Sequence, residues 1–285
     1  MTPLSPVINF LLDRHQLEIN EAEWLPIFLR NAGYRVEVTV RPGPTEVQED
    51  NLYLPDDCLV IVGSIPFTRH FMNVYRDTRP GAYYHEDRYR CSSYMHRFPA
   101  DWLLNHDHVM IPFGDFKRRL DWFYDVFKSE QLFIRPDSGG KVFTGLSFPR
   151  EKAEQELSSL WQLSRVPDNA LILVSVGVPI EVEYRFVIVN RQVISGSQYM
   201  REGKIAIAPE VDARCQALAE KVASHGFQVD IAYTCDIALS AGEPKVVELN
   251  AFSTSGLYAC DYRAVFHAVA AAAWAENQYE ISLED

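Results

Sequence analysis

The sequence predicts an α+β chain of two unlike parts: a small open α/β unit, then a larger and predominantly antiparallel region. Two observations carry this. Up to about residue 85, helical and strand patterns alternate, as they do when crossover helices link parallel strands. Beyond that point strand-like runs follow one another across tight turns, in the manner of hairpins. A chain of 285 residues has room for both parts and for a sizeable core.

The elements follow in order. "EAEWLPIFLRNAG" has a helical pattern and stops at Gly33, a suitable C-terminal cap. "YRVEVTV" alternates as a strand, and "RPGPT" is a loop. "CLVIVGS" is a continuous apolar run, the pattern of a strand buried on both faces. "IPFTRHFMNVYRD" is the next helix. The aromatic and polar stretch from Tyr83 to His108 reads as a connector or a substrate-facing loop.

"HVMIPFGDFKRRLDWFYDVFKSEQLFIRP" then gives strand, helix and strand, and "EKAEQELSSLWQLS" a helix. "IEVEYRFVIVN" and "QVISGSQYM" make a hairpin turning at Asn190 and Arg191. "VDARCQALAEKVASHG" is a helix capped by Gly226. "QVDIAYTCDIAL", the turn "SAGEP" and "KVVELN" form a second antiparallel hairpin.

Composition narrows the partners. Apolar residues make up 47% and charged residues 23%, ordinary for a soluble globular chain. The formal charge is -12 with acids spread along the chain, which opposes a nucleic-acid or anionic-membrane surface. The five cysteines are scattered and odd in number, which suits reduced thiols in a cytoplasmic setting. "MTPLSPVINFLLDRH" lacks the basic start of a signal peptide, and "AVFHAVAAAAWAEN" is too short to span a bilayer. "HEDRYRCSSYMH" and "NHDH" lack the paired Cys and His spacing of a zinc site.

Two stretches carry chemistry. In "KVVELNAFSTSG", Glu248 and Asn250 stand two apart on a strand and leave the same face, where packing alone would favour Val or Ile. Asp236 on the partner strand adds a third oxygen. Hard oxygen donors without Cys or His suit Mg²⁺ held by few protein ligands and substrate phosphates. The alternative is a solvated sheet face on which lysines such as Lys245 neutralise the acids. In "LFIRPDSGGKVFTG" a strand delivers Arg135, Pro136 ends it, Ser138 to Gly140 form a turn, and Lys141 with "VFTG" resumes the strand. Backbone amides of such a turn approach phosphate oxygens, and the flanking Arg and Lys neutralise them. It is neither a Walker A loop nor a Rossmann fingerprint.

With both ends in place, the order "FIRPDSGGKVF", "ALILVSVGVPIEVEYRFVIVNRQVISGSQY", "YTCDIALSAGEPKVVELNAFSTSG" resembles the ATP-grasp superfamily over roughly residues 105 to 270. It most resembles the bacterial and phage clade with an Arg-Pro motif, here Arg135-Pro136, in place of the usual nucleotide-contacting Lys. The resemblance implies an ATP-grasp fold, two α+β lobes with antiparallel sheets clasping ATP, preceded by a small α/β domain. The division it implies is residues 1–85 for the first domain and 86–285 for the ATP-grasp domain, with lobes at about 105–175 and 176–285.

The resemblance also implies roles. Adenine lies against "LILVSVG", its edge on backbone near Leu173, Val174, Ser175 and Val176; Glu181 accepts from the ribose. Glu183 and Arg185 face the phosphates and the acceptor. Asp236, Glu248 and Asn250 hold Mg²⁺, and Arg135 and Lys141 contact phosphates, with Lys117, Lys128, Arg201 and Lys204 as further basic candidates. Ser253, Thr254 and Ser255 lie near the γ-phosphate, and Tyr199 is open between sheet packing and substrate contact. The function implied is an ATP- and Mg²⁺-dependent carboxylate–amine ligase working through an acylphosphate. Small-molecule or peptide substrates suit it, and a homodimer is compatible with the family. A nucleotide binder without turnover, a phosphotransferase without ligation and an interaction module with an accidental E-x-N are the rival classes.

Overall fold

The computed structural model describes residues 7–43, 53 and 57–284. Part of the "RPGPT" loop therefore lies outside the described residues. Three sheets organise the chain. The first is parallel, in the order β2-β1-β3-β4, from β1 (Ile8–Asp13), β2 (Arg35–Thr39), β3 (Cys58–Val62) and β4 (Arg79–Gly81). Its helices are α1 (Arg14–Ile19), α2 (Leu25–Asn31) and α3 (Ile65–Val74). Helix α2 ends as the sequence indicates, with Gly33 at φ 94° where a Cβ would be strained.

The central strand of this sheet, "INFLLD", is buried at all six positions and has no counterpart among the elements read from the sequence. A fully buried parallel strand shows no alternation. Both faces of the sheet are covered: Leu11, Leu59 and Ile61 enter one core, Phe10 and Val60 another.

After a connector holding the short α4 (Cys91–Tyr94), the second sheet is antiparallel in the order β5-β8-β6-β7. Its strands are β5 (His108–Pro112), β6 (Gln131–Pro136), β7 (Leu146–Pro149) and β8 (Leu171–Val176). Helices α5 (Phe113–Arg118), α6 (Leu120–Phe127) and α7 (Ala153–Ser164) complete the lobe. The strand resumes at Leu146 rather than at Val142, because Lys141 takes a left-handed φ of 48° and the chain needs several more residues to re-enter the ladder. This lobe has its own core, with Phe113, Phe116, Phe123, Ile134 and Phe148.

The third sheet, order β11-β10-β9-β12-β13, is antiparallel throughout. It comprises β9 (Val182–Val189), β10 (Gln192–Arg201), β11 (Lys204–Ala208), β12 (Ala232–Ser240) and β13 (Glu243–Ala251). Asn190 and Arg191, at φ 47° and 64°, make the tight turn between β9 and β10. Helices α8 (Ala213–Ser224) and α9 (Tyr262–Glu284) cover it. Gly226 is not the left-handed cap expected of α8; the helix ends at His225 in an extended conformation.

Residues of this sheet share both cores of the first sheet: Phe186 and Tyr233 join Leu11, while Val187 and Val189 join Phe10. We propose the division of the chain near residues 85 and 175, since no strand is shared between sheets.

Candidate active site

Register brings the acids together. Asp236 on β12 lies opposite Glu248 on β13, and Thr234 opposite Asn250. Asn250 donates from Nδ2 to Asp236 Oδ2 at 3.2 Å and to Glu248 Oε1 at 3.0 Å. The three side chains meet at one spot, and Asp236 is only 1% exposed. They are not a solvated face neutralised by Lys245, whose Nζ donates instead to the Asp101 carbonyl at 2.6 Å. Two carboxylates beside an Asn side chain, whose Nδ2 now faces them, are a residue set that fits Mg²⁺ completed by phosphate oxygens. Among the described residues no cluster of three or more His, Cys, Asp or Glu is present.

Each acid already has a cation, but the two are held differently. Arg185 on β9 stands directly across from Asp236 in the ladder. It grips the carboxylate with both Nε and Nη2, at 2.8 and 2.7 Å. Its Nη1 donates to the Gly256 carbonyl at 2.9 Å, which ties the small-residue loop to the acid. The rings of Tyr199 and Tyr258 stack on each other at 5.0 Å, and both lie against the guanidinium, 5.7 and 5.1 Å away.

Glu248 is reached instead from the second sheet. Arg135 on β6 pairs with its Oε2 and donates to the Val247 carbonyl at 3.1 Å, while Lys141 Nζ lies 3.4 Å from Oε1. These contacts join β6 and the Gly turn to β13.

The electrostatics follow. Burial pushes the Glu248 carboxyl up, but Arg135, Lys141 and the Asn250 amide outweigh it and hold the group below the usual carboxylate range. Burial pushes Asp236 up, Arg185 opposing and the nearby Glu248 adding to the rise. Glu183 is also raised by burial and by the charges of Asp236 and Glu248, against a 2.7 Å hydrogen bond from the Tyr199 hydroxyl.

The Gly turn is buttressed by the connector. Asp137 accepts from the Ser92 amide at 2.7 Å and the Ser92 hydroxyl at 2.9 Å. Ser138 Oγ donates to Glu86 Oε1 at 2.8 Å and accepts from the Gly140 amide at 3.0 Å. Glu86 pairs with Arg69 of α3. A Cβ on Gly139 would stand 2.8 Å from the Glu86 carbonyl, so only glycine allows this approach.

The backbone of Leu173, Val174 and Ser175 is engaged on both sides, by β5 and β6, and that of Val176 pairs with Leu132. Leu173, Val174 and Ser175 are buried, and Ser175 Oγ donates to Asn105 Oδ1 at 3.1 Å. The chain leaves the ladder at Gly177, whose amide donates to the Gln131 carbonyl, and Val178 follows at 37% exposure. Glu181 is exposed and accepts from the Gly242 amide at 2.9 Å, at the turn between β12 and β13. Of the other basic candidates, Lys117 pairs with Asp168 and Arg201 donates to Gln198. Lys128 and Lys204 are exposed, at the end of α6 and the start of β11.

Residues 116–268, more than half of the chain, match the model of one family, described as ATP-grasp domain, R-2-K clade, family 2. The chain belongs to that ATP-grasp family. Its fold matches the D-alanine–D-alanine ligase from Coxiella burnetii at 12% identity and a TM-score of 0.65, covering 97% of this chain and 98% of that one. For the D-alanine–D-alanine ligase from Bacillus anthracis the values are 10% and 0.63, with 96% and 100% covered. For a D-cycloserine synthetase they are 15% and 0.61, with 93% and 98% covered. At these identities the likeness is one of fold. No match is found among curated proteins.

The ATP-grasp fold also recruits residues that the sequence did not single out. Tyr258 reaches Arg185 from a loop at a left-handed φ of 52°, and its only sequence signal is its place just after "STSG". Arg69 and Glu86 come to the Gly turn from distant segments; Glu86 lies in the aromatic and polar stretch from Tyr83 to His108, and Arg69 has no local signal.

Proposed function

We propose that this ATP-grasp protein is an ATP- and Mg²⁺-dependent carboxylate–amine ligase. The observation that carries the reading is the meeting of Asp236, Glu248 and Asn250 on one sheet with Arg135 on a strand of another and Lys141 in the turn that follows it. In the proposed reaction a substrate carboxylate takes the γ-phosphoryl group to give an acylphosphate, which an amine attacks with release of phosphate. ATP with Mg²⁺ would supply the phosphoryl group, so that phosphate rather than oxide is the leaving group.

The chain's own part is positioning and charge. Arg135 and Lys141 are the cations that phosphate oxygens would meet, in exchange for Glu248. Glu248, Asp236 and Asn250 would hold the metal. Arg185 is gripped by Asp236 and by Gly256, which suits a residue that fixes the metal-binding acid and the loop rather than one free to follow a substrate. Glu183 stays on the same face beside Tyr199. For adenine, the first backbone outside the ladder is at Gly177 and Val178, so the edge contacts proposed for Leu173 to Val176 are best served at the Val176 end.

The test is product analysis with paired carboxylate and amine panels. Ligation predicts ADP and phosphate only when both substrates are present. ADP with the carboxylate alone would assign a phosphotransferase, and nucleotide binding without ADP release under any pair would assign a binder.

A further inference from the structure

Residues 137–145, between β6 and β7, belong to no strand, yet one of them carries its head group to Glu248. Lys141 does so from a left-handed backbone, φ 48°. A residue other than glycine adopts that conformation at a cost and keeps it only where its surroundings fix it. The fixing comes from behind. The Lys141 amide donates to the Ser138 carbonyl at 3.2 Å, and the Gly140 amide to Ser138 Oγ at 3.0 Å. Ser138 Oγ donates in turn to Glu86 Oε1 at 2.8 Å, and the other oxygen of Glu86 is paired with Arg69 on α3.

One chain of contacts therefore runs from the helix after β3 to the proposed metal-binding acid: Arg69, Glu86, Ser138, Gly140, Lys141, Glu248. An ion pair that faces only solvent contributes little. This one ends on the backbone of the Gly turn, where a Cβ on Gly140 would collide with both the Glu86 carboxylate and the Arg69 guanidinium. The Tyr84 hydroxyl adds a 3.4 Å bond to Glu86 Oε2, and the guanidinium lies 6.0 Å from the Tyr84 ring. Burial pushes the Glu86 carboxyl up, but the hydrogen bonds from Ser138 and Arg69 outweigh it and hold the group below the usual carboxylate range.

We infer that Glu86, held by Arg69, is a positioning residue for nucleotide binding, acting through the Gly turn to keep the Lys141 ammonium where ATP phosphates would meet it. The inference rests on the ATP-dependent reading and extends the site to segments outside the matched family region, residues 116–268. Without the Glu86 carboxylate, Ser138 loses its acceptor and Arg69 its counter-charge. Nothing then holds the turn against Lys141 leaving its left-handed conformation, which withdraws the ammonium.

Calorimetric titration of Mg·ATP into the full chain and its variants tests this as a double-mutant cycle. Lys141→Met alone should weaken binding roughly tenfold, and Glu86→Ala alone roughly five- to tenfold. Glu86→Gln, which keeps an acceptor for Ser138, should cost less than about threefold. In the Lys141→Met background Glu86→Ala should change the affinity less than about twofold, because the group it positions is gone. Ser138→Ala should follow Glu86→Ala in both backgrounds, and it decides alone if Glu86→Ala does not fold. An equal loss from Glu86→Ala in both backgrounds, as a merely structural role predicts, would overturn the inference. So would unchanged binding by Glu86→Ala where Lys141→Met weakens it, a result that leaves the ATP-dependent reading standing. Folded wild-type protein that binds no Mg·ATP would remove that reading and the inference with it.

Discussion

The two carboxylates of the site are both neutralised by arginine, yet they sit in mechanically different places. Asp236 and Arg185 face each other on adjacent strands of one sheet, with a bidentate grip and two aromatic rings around the guanidinium. Glu248 is met by Arg135 and Lys141 from the other sheet, whose lobe has a core of its own. The first pair belongs to the sheet's framework; the second spans a cleft. The Glu248 side chain is 19% exposed and that of Asp236 1%. Under the proposed reading, an anionic ligand entering between the sheets would compete for Arg135 and Lys141 and leave Arg185 where it is.

That contrast sets the order of effects. The largest is expected from Asp236→Asn, which leaves the buried Arg185 without a counter-charge and should cost roughly 3–5 kcal/mol, read as a lower urea midpoint at unchanged slope. Glu248→Gln should cost less, about 1–3 kcal/mol, because the partly exposed amide still accepts from Arg135 and Lys141. Equal losses for the two variants would erase the distinction between framework and cleft. Next is Tyr199→Phe, which removes the 2.7 Å bond to Glu183 while keeping the stacked ring, at about 1 kcal/mol.

The smallest effect is a pH dependence. Burial and neighbouring acids raise Glu183 above its ordinary value of 4.5, so the folded chain keeps a proton there that the unfolded chain has lost. Its ionisation therefore costs stability as pH rises through that window. Glu183→Gln should raise the melting temperature at pH 7 to 8, with the gain vanishing near pH 4. A gain of the same size at both pH values would contradict the assignment.

Much of this arrangement was legible in the sequence, and the rest was hidden for identifiable reasons. The hairpin carrying Asp236, Glu248 and Asn250 could be read because a period of two fixes which side chains share a face, and because the Ala241-Gly242 turn sets the register. The turn at Asn190 and Arg191 was readable on the same grounds. Strand β1 was not, because burial on both faces removes the alternation. The "KIAIA" of β11 has no counterpart among the elements read from the sequence either, although Glu202 and Gly203 make its turn. At the site, Arg135 and Lys141 announce themselves beside Pro136 and a glycine pair. Their partner Glu248 is over a hundred residues away, and the pairing exists only through folding.

The central claim is that Glu248, held across the cleft by Arg135 and Lys141, is a ligand of Mg·ATP. Calorimetric titration of ATP with and without Mg²⁺, into the wild-type chain and Glu248→Gln, tests it most directly. The account predicts metal-dependent binding in the wild type and at least a roughly tenfold weaker, metal-indifferent interaction in the variant. ATP binding that ignores both the metal and Glu248, or its absence from folded wild-type protein, would contradict it.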